Sequence, residues 1–210
     1  ILCCATLMFI TILKNTTIIH IWALIIALYA STILWLLHEK LSRQELLTII
    51  NISGLGFFYC GLLPALSIKI ITLPDGESWF LLLLTIVFFG DTFAYFAGQF
   101  WGEKKLAPSL SPNKTLTGAV GGLLGSLIAA ALVWYYFFPA ASLHLFLISA
   151  VIANFLAQTG DLFESLLKRV ADVKDSGKIM PGHGGVLDRI DGVLFAAPVI
   201  YTLGLMTTAG

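Results

Sequence analysis

Long apolar runs separated by short polar segments make up most of the chain. A helix needs about 20 apolar residues to cross a bilayer, and such a segment has to satisfy its own backbone hydrogen bonds, which favours helices. The third run is long and contains Pro64, which favours a break into a span and a short interfacial piece. The pattern predicts seven membrane segments, the first of them partial: Ile1–Leu13, Thr17–Leu37, Leu46–Ile71, Ser78–Phe100, Leu116–Phe138, Leu143–Phe163 and Gly192–Thr208.

The loops between these segments alternate in charge. Lys and Arg collect in the first, third and fifth loops, whereas the second loop has acidic charges alone and the fourth has none. Cytoplasmic loops of membrane proteins carry the excess of Lys and Arg. The three basic loops, His38–Glu45, Gly102–Thr115 and Glu164–Asp191, are therefore predicted to share the cytoplasmic side.

The composition excludes a soluble globular protein. The sequence is 58% hydrophobic and 11% charged, whereas soluble domains are about 25% charged. We predict an all-α, polytopic membrane bundle with a polar, cytoplasm-facing active-site cavity. Because the chain begins inside an apolar run, we expect residues 1–77 to be N-terminal transmembrane helices truncated at their start, and residues 78–210 to form the catalytic membrane domain. No nucleic-acid partner is expected.

Glycines recur at helical spacing in the fifth segment. Gly118, Gly121, Gly122 and Gly125 form two overlapping GxxxG patterns. Such patterns let two helices approach closely, within one subunit or between subunits. A homodimer is one of the two arrangements that this pattern allows.

Polar side chains inside the apolar segments are the first candidates for chemistry, because charge at mid-membrane costs about 2.5 to 3.5 kcal/mol. Asp91 lies deep in the fourth segment, either as a functional group or as a structural hydrogen-bonding residue. In the sixth segment Asn154, Gln158, Asp161 and Ser165 are spaced i, i+4, i+7 and i+11, so they share one helical face. Such a face borders a bundle interior or a cavity, with Asp161 as a functional residue or a helix–helix polar clamp.

The longest polar segment is Ser165–Asp191, which combines Lys and Arg, four Asp and a glycine-rich turn. Glycines let backbone amides approach phosphate, basic residues neutralise it, and carboxylates hold a hard cation. Asp188 and Asp191, spaced i, i+3 before the last segment, favour an anion-compatible helix N-terminus, with capping by Asp191 as the alternative. Asp161 and Asp188 are predicted to converge on Mg²⁺. A solvated basic loop is the alternative interpretation of the whole segment.

A second candidate for binding anions is the loop that ends at the fifth segment. Ser111, Lys114 and Thr115 place hydroxyls, a cation and backbone amides next to a helix N-terminus, which suits an anion. A simple N-cap by the hydroxyl side chain explains the same residues equally well.

These residues resemble the signature of the phosphatidate cytidylyltransferases, the CDP-diacylglycerol synthases. The resemblance runs through Ser165-x-Leu167-Lys168-Arg169, Lys174-Asp175-x-Gly177 and Pro181-Gly182-His183-Gly184-Gly185-x-x-Asp188-Arg189-x-Asp191. Upstream, Gly160-Asp161-Leu162-x-Glu164, Asp91-x-x-Ala94-Tyr95-x-x-Gly98 and Ser111-Pro112-x-Lys114-Thr115 also resemble that family. The chain departs from the family pattern at Asn113, where Lys is usual, and at Thr117, where an acidic residue is usual.

The resemblance implies transfer of CMP from CTP to phosphatidic acid, giving CDP-diacylglycerol and pyrophosphate, at a bacterial inner membrane with the site facing the cytoplasm. It implies Mg²⁺, with a second cation possible, held by Asp161 and Asp188. The implied catalytic residues are Asp161, Asp188, Lys168, Arg169, Lys174 and Asp191, with Glu164 in support. The implied substrate-binding residues are Asp91, Ser111, Lys114, Thr115, Ser165, Lys178, His183, Gly184, Gly185 and Arg189.

Two other functions are compatible with parts of the sequence. A related lipid kinase would use CTP as phosphoryl donor for a polyprenol and release CDP. An ion-coupled transporter would use Asp91 and Asp161 near mid-membrane, but it leaves the polar signature unexplained.

Overall fold

The computed structural model describes Ile33, residues 42–177 and residues 185–208. Apart from Ile33, the first two predicted membrane segments lie outside the described residues. The chain divides after Lys69 into two units.

In the first unit, helix α1 (Arg43–Phe57) begins at a capping box and continues through a π-helical turn (Phe58–Leu62) into α2 (Leu63–Lys69). The Ser42 hydroxyl accepts from the Glu45 amide at 3.3 Å. The Glu45 carboxylate accepts from the Ser42 hydroxyl at 2.7 Å and from the Ser42 amide at 2.8 Å, and these two bonds lower the pKa of Glu45. The expected break at Pro64 does not occur. Directly before Pro64 the chain forms a π turn, in which Leu63 N donates to Phe58 O. This local change in hydrogen bonding lets the helix continue although Pro64 has no N–H to donate.

The described part of the second unit contains four long helices and a short β-hairpin. A 3₁₀ turn (Ile70–Thr72) precedes α3 (Gly76–Trp101), strands β1 (Lys105–Ala107) and β2 (Ser111–Thr115) pair antiparallel, and helices α4 (Leu116–Phe137), α5 (Leu143–Val170) and α6 (Leu187–Thr208) follow. Trp79 anchors the core, stacked on Phe138 at 4.1 Å and on Phe146 at 5.5 Å between ring centroids. Its indole N–H donates to the Pro74 carbonyl, so the buried ring leaves no polar group unpaired.

Helices α3 and α4 pack through the glycine face of α4. A Cβ on Gly121 would lie 2.3 Å from the Ala97 Cβ, and one on Gly125 would lie 2.6 Å from the Phe89 carbonyl oxygen. Small residues permit this approach because backbone meets backbone. The GxxxG patterns of α4 therefore serve packing within one chain, and the homodimer stays a prediction.

Gly121→Ala is expected to destabilise the fold by about 1 to 3 kcal/mol, because the added methyl group forces α3 and α4 apart. The measurement is thermal unfolding in detergent micelles. Gly54→Ala in α1 is the matched control, since a Cβ there has no neighbour within 4 Å. Equal melting temperatures for the two variants would contradict the packing account.

Five helical segments within the described residues are long and apolar enough to cross a membrane: Leu47–Thr72, Gly76–Trp101, Leu116–Phe137, Leu143–Val170 and Leu187–Thr208. The predicted all-α membrane bundle is confirmed. Two predicted boundaries were wrong, because α5 extends to Val170 and α6 begins at Leu187. Charged residues thus lie inside helices: Lys168 pairs with Glu164 one turn earlier, and Asp188 occupies the first turn of α6. Asp191, four residues inside α6, is not its cap.

Candidate active site

A cavity of about 430 Å³, here called the inner cavity, lies among α3, the hairpin, α4 and α5. Its polar lining includes Asp91 from α3, Lys114 from β2, and Gln158 and Asp161 from α5. Asp91 interacts electrostatically with Lys114, Asp161 and Asp191. The cavity therefore gathers charged groups from three separate stretches of the sequence: α3, the hairpin and α5.

The hairpin holds Lys114 over the inner cavity. Lys105 pairs with Thr115 and Ala107 with Ser111, with an irregularity between them. Lys114 forms an ion pair with Asp161, which joins β2 to α5. At the same point the Thr115 hydroxyl accepts from the Gly118 amide at 3.0 Å, so Thr115 caps α4. In this structure the Thr115 hydroxyl therefore acts as a simple N-cap, the alternative considered from the sequence.

Three carboxylates, two from α5 and one from α6, lie close together. Asp161, Glu164 and Asp191, here called the acidic group, each offer one oxygen within 4.8 Å of the others. Glu164 is 2% exposed, and its Oε1 has no hydrogen-bond partner among the described residues. Since burying an unpaired carboxylate oxygen is costly, this donor set fits a divalent cation with oxygen ligands.

Lys168 links the acidic group to the start of α6. Its ammonium lies 2.6 Å from Glu164 Oε2 and 2.8 Å from Asp188 Oδ1. The other oxygen of Asp188 accepts from Ser176 N at 2.9 Å, Ser176 Oγ at 2.8 Å and Gly185 N at 2.7 Å. Asp188 therefore ties together the last turns of α5, the segment after it and the N-terminus of α6. In this arrangement it lies outside the acidic group, and its metal-binding role stays a prediction.

A second cavity of about 240 Å³, here called the basic cavity, shares Asn113 with the inner cavity. The chain turns sharply at the end of α5, where Asp172 adopts a φ of 52°. There Val173 N donates to Lys168 O, and Asp172 N donates to Arg169 O. This pattern closes α5 in a Schellman motif and brings the next residues back over the helix end. Its charged and hydroxyl lining is Ser111, Ser165, Lys168, Arg169, Lys174 and Asp175.

The structure brings together most of the predicted site residues. The face predicted for α5 is confirmed, since Asn154 and Gln158 bond inside the bundle while Asp161 and Ser165 line the cavities. Lys178, His183 and Gly184 lie outside the described residues. Arg189 is exposed, and Gly185 contributes its amide to Asp188.

Two residues stand out in the structure more than in the sequence. Glu164, predicted in a supporting role, is the most buried of the three carboxylates. Its spacing of three from Asp161 places both on one helical face and is the signal that could have found it. Ser176 was not selected, because nothing in a polar loop marks which hydroxyl reaches Asp188.

The fold and these cavities define a multi-pass α-helical membrane protein with an acidic, Lys-bridged site suited to a phosphorylated ligand. Residues 1–207 match the model of the Cytidylyltransferase family, and the chain belongs to that family. It is 39% identical over 150 residues to the phosphatidate cytidylyltransferase of Staphylococcus haemolyticus, covering 71% of this chain and 54% of that protein.

Two further phosphatidate cytidylyltransferases match this chain over stretches of similar length. That of Brucella abortus is 41% identical over 160 residues, covering 71% of this chain and 55% of the relative. That of Thermotoga maritima is 46% identical over 131 residues, covering 60% and 48% respectively. The chain spans about half the length of these relatives.

Proposed function

We propose that the protein is a CTP:phosphatidate cytidylyltransferase, a nucleotidyltransferase that makes CDP-diacylglycerol and pyrophosphate in phospholipid synthesis. The observation that carries the proposal is the position of Lys168, which pairs with Glu164 of the acidic group and also lines the basic cavity together with Arg169 and Lys174. This charge pattern suits a nucleoside triphosphate, and the surrounding span-length helices suit a lipid substrate.

In the proposed reaction an oxygen of the lipid phosphate attacks the α-phosphorus of CTP. The new P–O bond forms as the bond to the β-phosphate oxygen breaks, and pyrophosphate leaves with that electron pair. The attacking oxygen is already anionic, so no strong general base is needed. The protein aligns the two phosphates and neutralises their charge. Among the described residues, Lys168, Arg169, Lys174 and Arg189 serve this role. Lys178, outside the described residues, is proposed with them.

The acidic group fits a magnesium ion, because its ligands are carboxylates and Glu164 Oε1 has no other partner among the described residues. We propose Asp161, Glu164 and Asp191 as its holders, with the Asp188 role predicted from the sequence kept as a proposal. A bound Mg²⁺ would offset the charge that builds up on the phosphates. Asp161, which pairs with Lys114, also lines the inner cavity, and Asp191 lies four residues after the start of α6.

The proposed location is a bacterial inner membrane with the site on the cytoplasmic side. Lys104, Lys105 and Lys114 lie in and beside the hairpin, and Lys168 and Lys174 lie near the end of α5. These two basic regions border the same pair of cavities. The loop Pro139–Ser142, at the other end of α4 and α5, has no charge. This distribution follows the positive-inside rule, and CTP is available on that side.

The test is a turnover assay on the purified protein in lipid–detergent micelles with labelled CTP, phosphatidic acid and Mg²⁺. We expect CDP-lipid and pyrophosphate in equal amounts. A chelator should lower the rate at least about 100-fold, and excess Mg²⁺ should restore it, because a cation supplies several kcal/mol of charge stabilisation. Release of CDP with a phosphorylated lipid would identify a kinase instead. Nucleotide-independent ion uptake into proteoliposomes would favour a transporter.

A further inference from the structure

A chain of hydrogen bonds crosses the bundle and ends at the inner cavity. The Ser126 hydroxyl of α4 donates to the Ile86 carbonyl of α3 at 2.8 Å. The Asn154 amide nitrogen of α5 donates to Ser126 Oγ at 2.8 Å. Gln158 Nε2 then donates to Asn154 Oδ1 at 2.7 Å and to the Ala119 carbonyl at 3.1 Å. Ser126 is fully buried and Asn154 is 4% exposed, so these bonds lie away from water.

The direction of this chain is determined by its two ends. Backbone carbonyls only accept hydrogen bonds, so Ser126 must give its proton to Ile86 and accept from the Asn154 nitrogen. The Asn154 oxygen then faces Gln158. If the Gln158 amide were turned over, its oxygen would face the oxygens of Asn154 and Ala119 at about bonding distance. The orientation of the Gln158 amide is therefore fixed by the backbone of α3 and α4.

One acceptor is left at the end of this chain. Both N–H protons of Gln158 are used, and its Oε1 accepts no hydrogen bond from residues 42–177 or 185–208. Gln158 lines the inner cavity together with Asp91 and Asp161. An amide oxygen that cannot rotate away leaves an unmet acceptor whenever the bound ligand lacks a matching donor.

We propose that Gln158 is a specificity-determining residue whose Oε1 accepts a hydrogen bond from the nucleoside part of the nucleotide. This inference rests on the proposed function. Outside its phosphate, phosphatidic acid has no hydroxyl or amino group, whereas the nucleoside part of CTP carries two free ribose hydroxyls, at 2′ and 3′, and one amino group. The inner cavity, of about 430 Å³, takes the nucleoside, and the adjoining basic cavity takes the phosphates.

The test compares CTP with three analogues that each lack one donor: 2′-deoxy-CTP, 3′-deoxy-CTP and UTP, which has oxygen in place of the amino group. We measure kcat/KM for each nucleotide with the wild-type protein and with Gln158→Met, which has a similar volume. At least one analogue is expected to be about 10- to 100-fold worse than CTP in the wild type. In Gln158→Met, the ratio of kcat/KM for CTP to kcat/KM for the same analogue should fall below about 3, because Met presents no acceptor that the analogue leaves unpaired.

The ratio separates binding from a purely structural role, which would slow all nucleotides alike and leave the ratios unchanged. Thr159→Val is the matched control, since Thr159 is exposed and bonds within α5 to Phe155 O; its ratios should equal those of the wild type. Unchanged ratios in Gln158→Met would overturn the proposal. So would a wild type that accepts all three analogues within about 3-fold of CTP, even if the variant does not fold. A wild type that binds but does not turn over CTP would instead refute the proposed function, and the inference with it.

Discussion

Asp188→Asn is expected to lower kcat/KM for CDP-lipid formation by at least about 10³-fold while the protein remains folded. Asp188 now pairs with Lys168 and accepts three further hydrogen bonds from Ser176 and Gly185. An amide in its place has one acceptor oxygen, and its NH₂ group faces donors. The segment between α5 and α6 then loses its attachment beside the acidic group, and any metal-binding role of the carboxylate is lost too.

The measurement is steady-state turnover, with melting temperature recorded on the same sample. Asp172→Asn is the matched control: Asp172 is exposed, and Asn tolerates its left-handed backbone, so turnover within about 2-fold of wild type is expected. Near-normal activity of Asp188→Asn would remove Asp188 from the site.

Lys168→Met is expected to inactivate the protein and also to destabilise it by about 3 to 5 kcal/mol. Lys168 is the cation next to Glu164, a residue that is 2% exposed. Without Lys168, the Glu164 carboxylate is buried beside Asp161 and Asp191 with no positive charge paired with it. The measurement is unfolding in detergent micelles together with turnover.

A second substitution separates the two effects. Adding Glu164→Gln to Lys168→Met removes the unpaired charge, so most of the stability should return while activity stays lost. Arg169→Met controls for loss of a cation nearby, because Arg169 is exposed and has no ion pair among the described residues; its stability should stay within about 0.5 kcal/mol of wild type. A double variant as unstable as Lys168→Met alone would refute the pairing argument.

The membrane helices were predictable because every segment that crosses a bilayer has to be an apolar helix of about 20 residues. Length and apolar content alone locate spans, and three of the predicted spans agree with α3, α4 and the start of α5 within about two residues. The C-terminal end of α5 and the start of α6 were missed because charged residues interrupt the apolar signal. There the helices continue on local pairs such as Glu164–Lys168, which hydropathy does not register.

The hairpin Lys105–Thr115 was also missed, since its strands are short and mostly polar. Antiparallel pairing there depends on how α3 and α4 are held, not on a repeating pattern of apolar residues. The hairpin brings Lys114 into an ion pair with Asp161 at the inner cavity.

The sequence alone determined the class of protein, the helical face of Asn154, Gln158, Asp161 and Ser165, and the family, because span length, helical phase and motif spacing are local properties. The tertiary structure decided which partners those residues have. It alone shows that Glu164 joins Asp161 and Asp191, that Lys168 lies between Glu164 and Asp188, and that Gln158 presents a fixed acceptor. These facts depend on which face of each helix meets its neighbours, and only the packing of α3, α4, α5 and α6 brings those faces together.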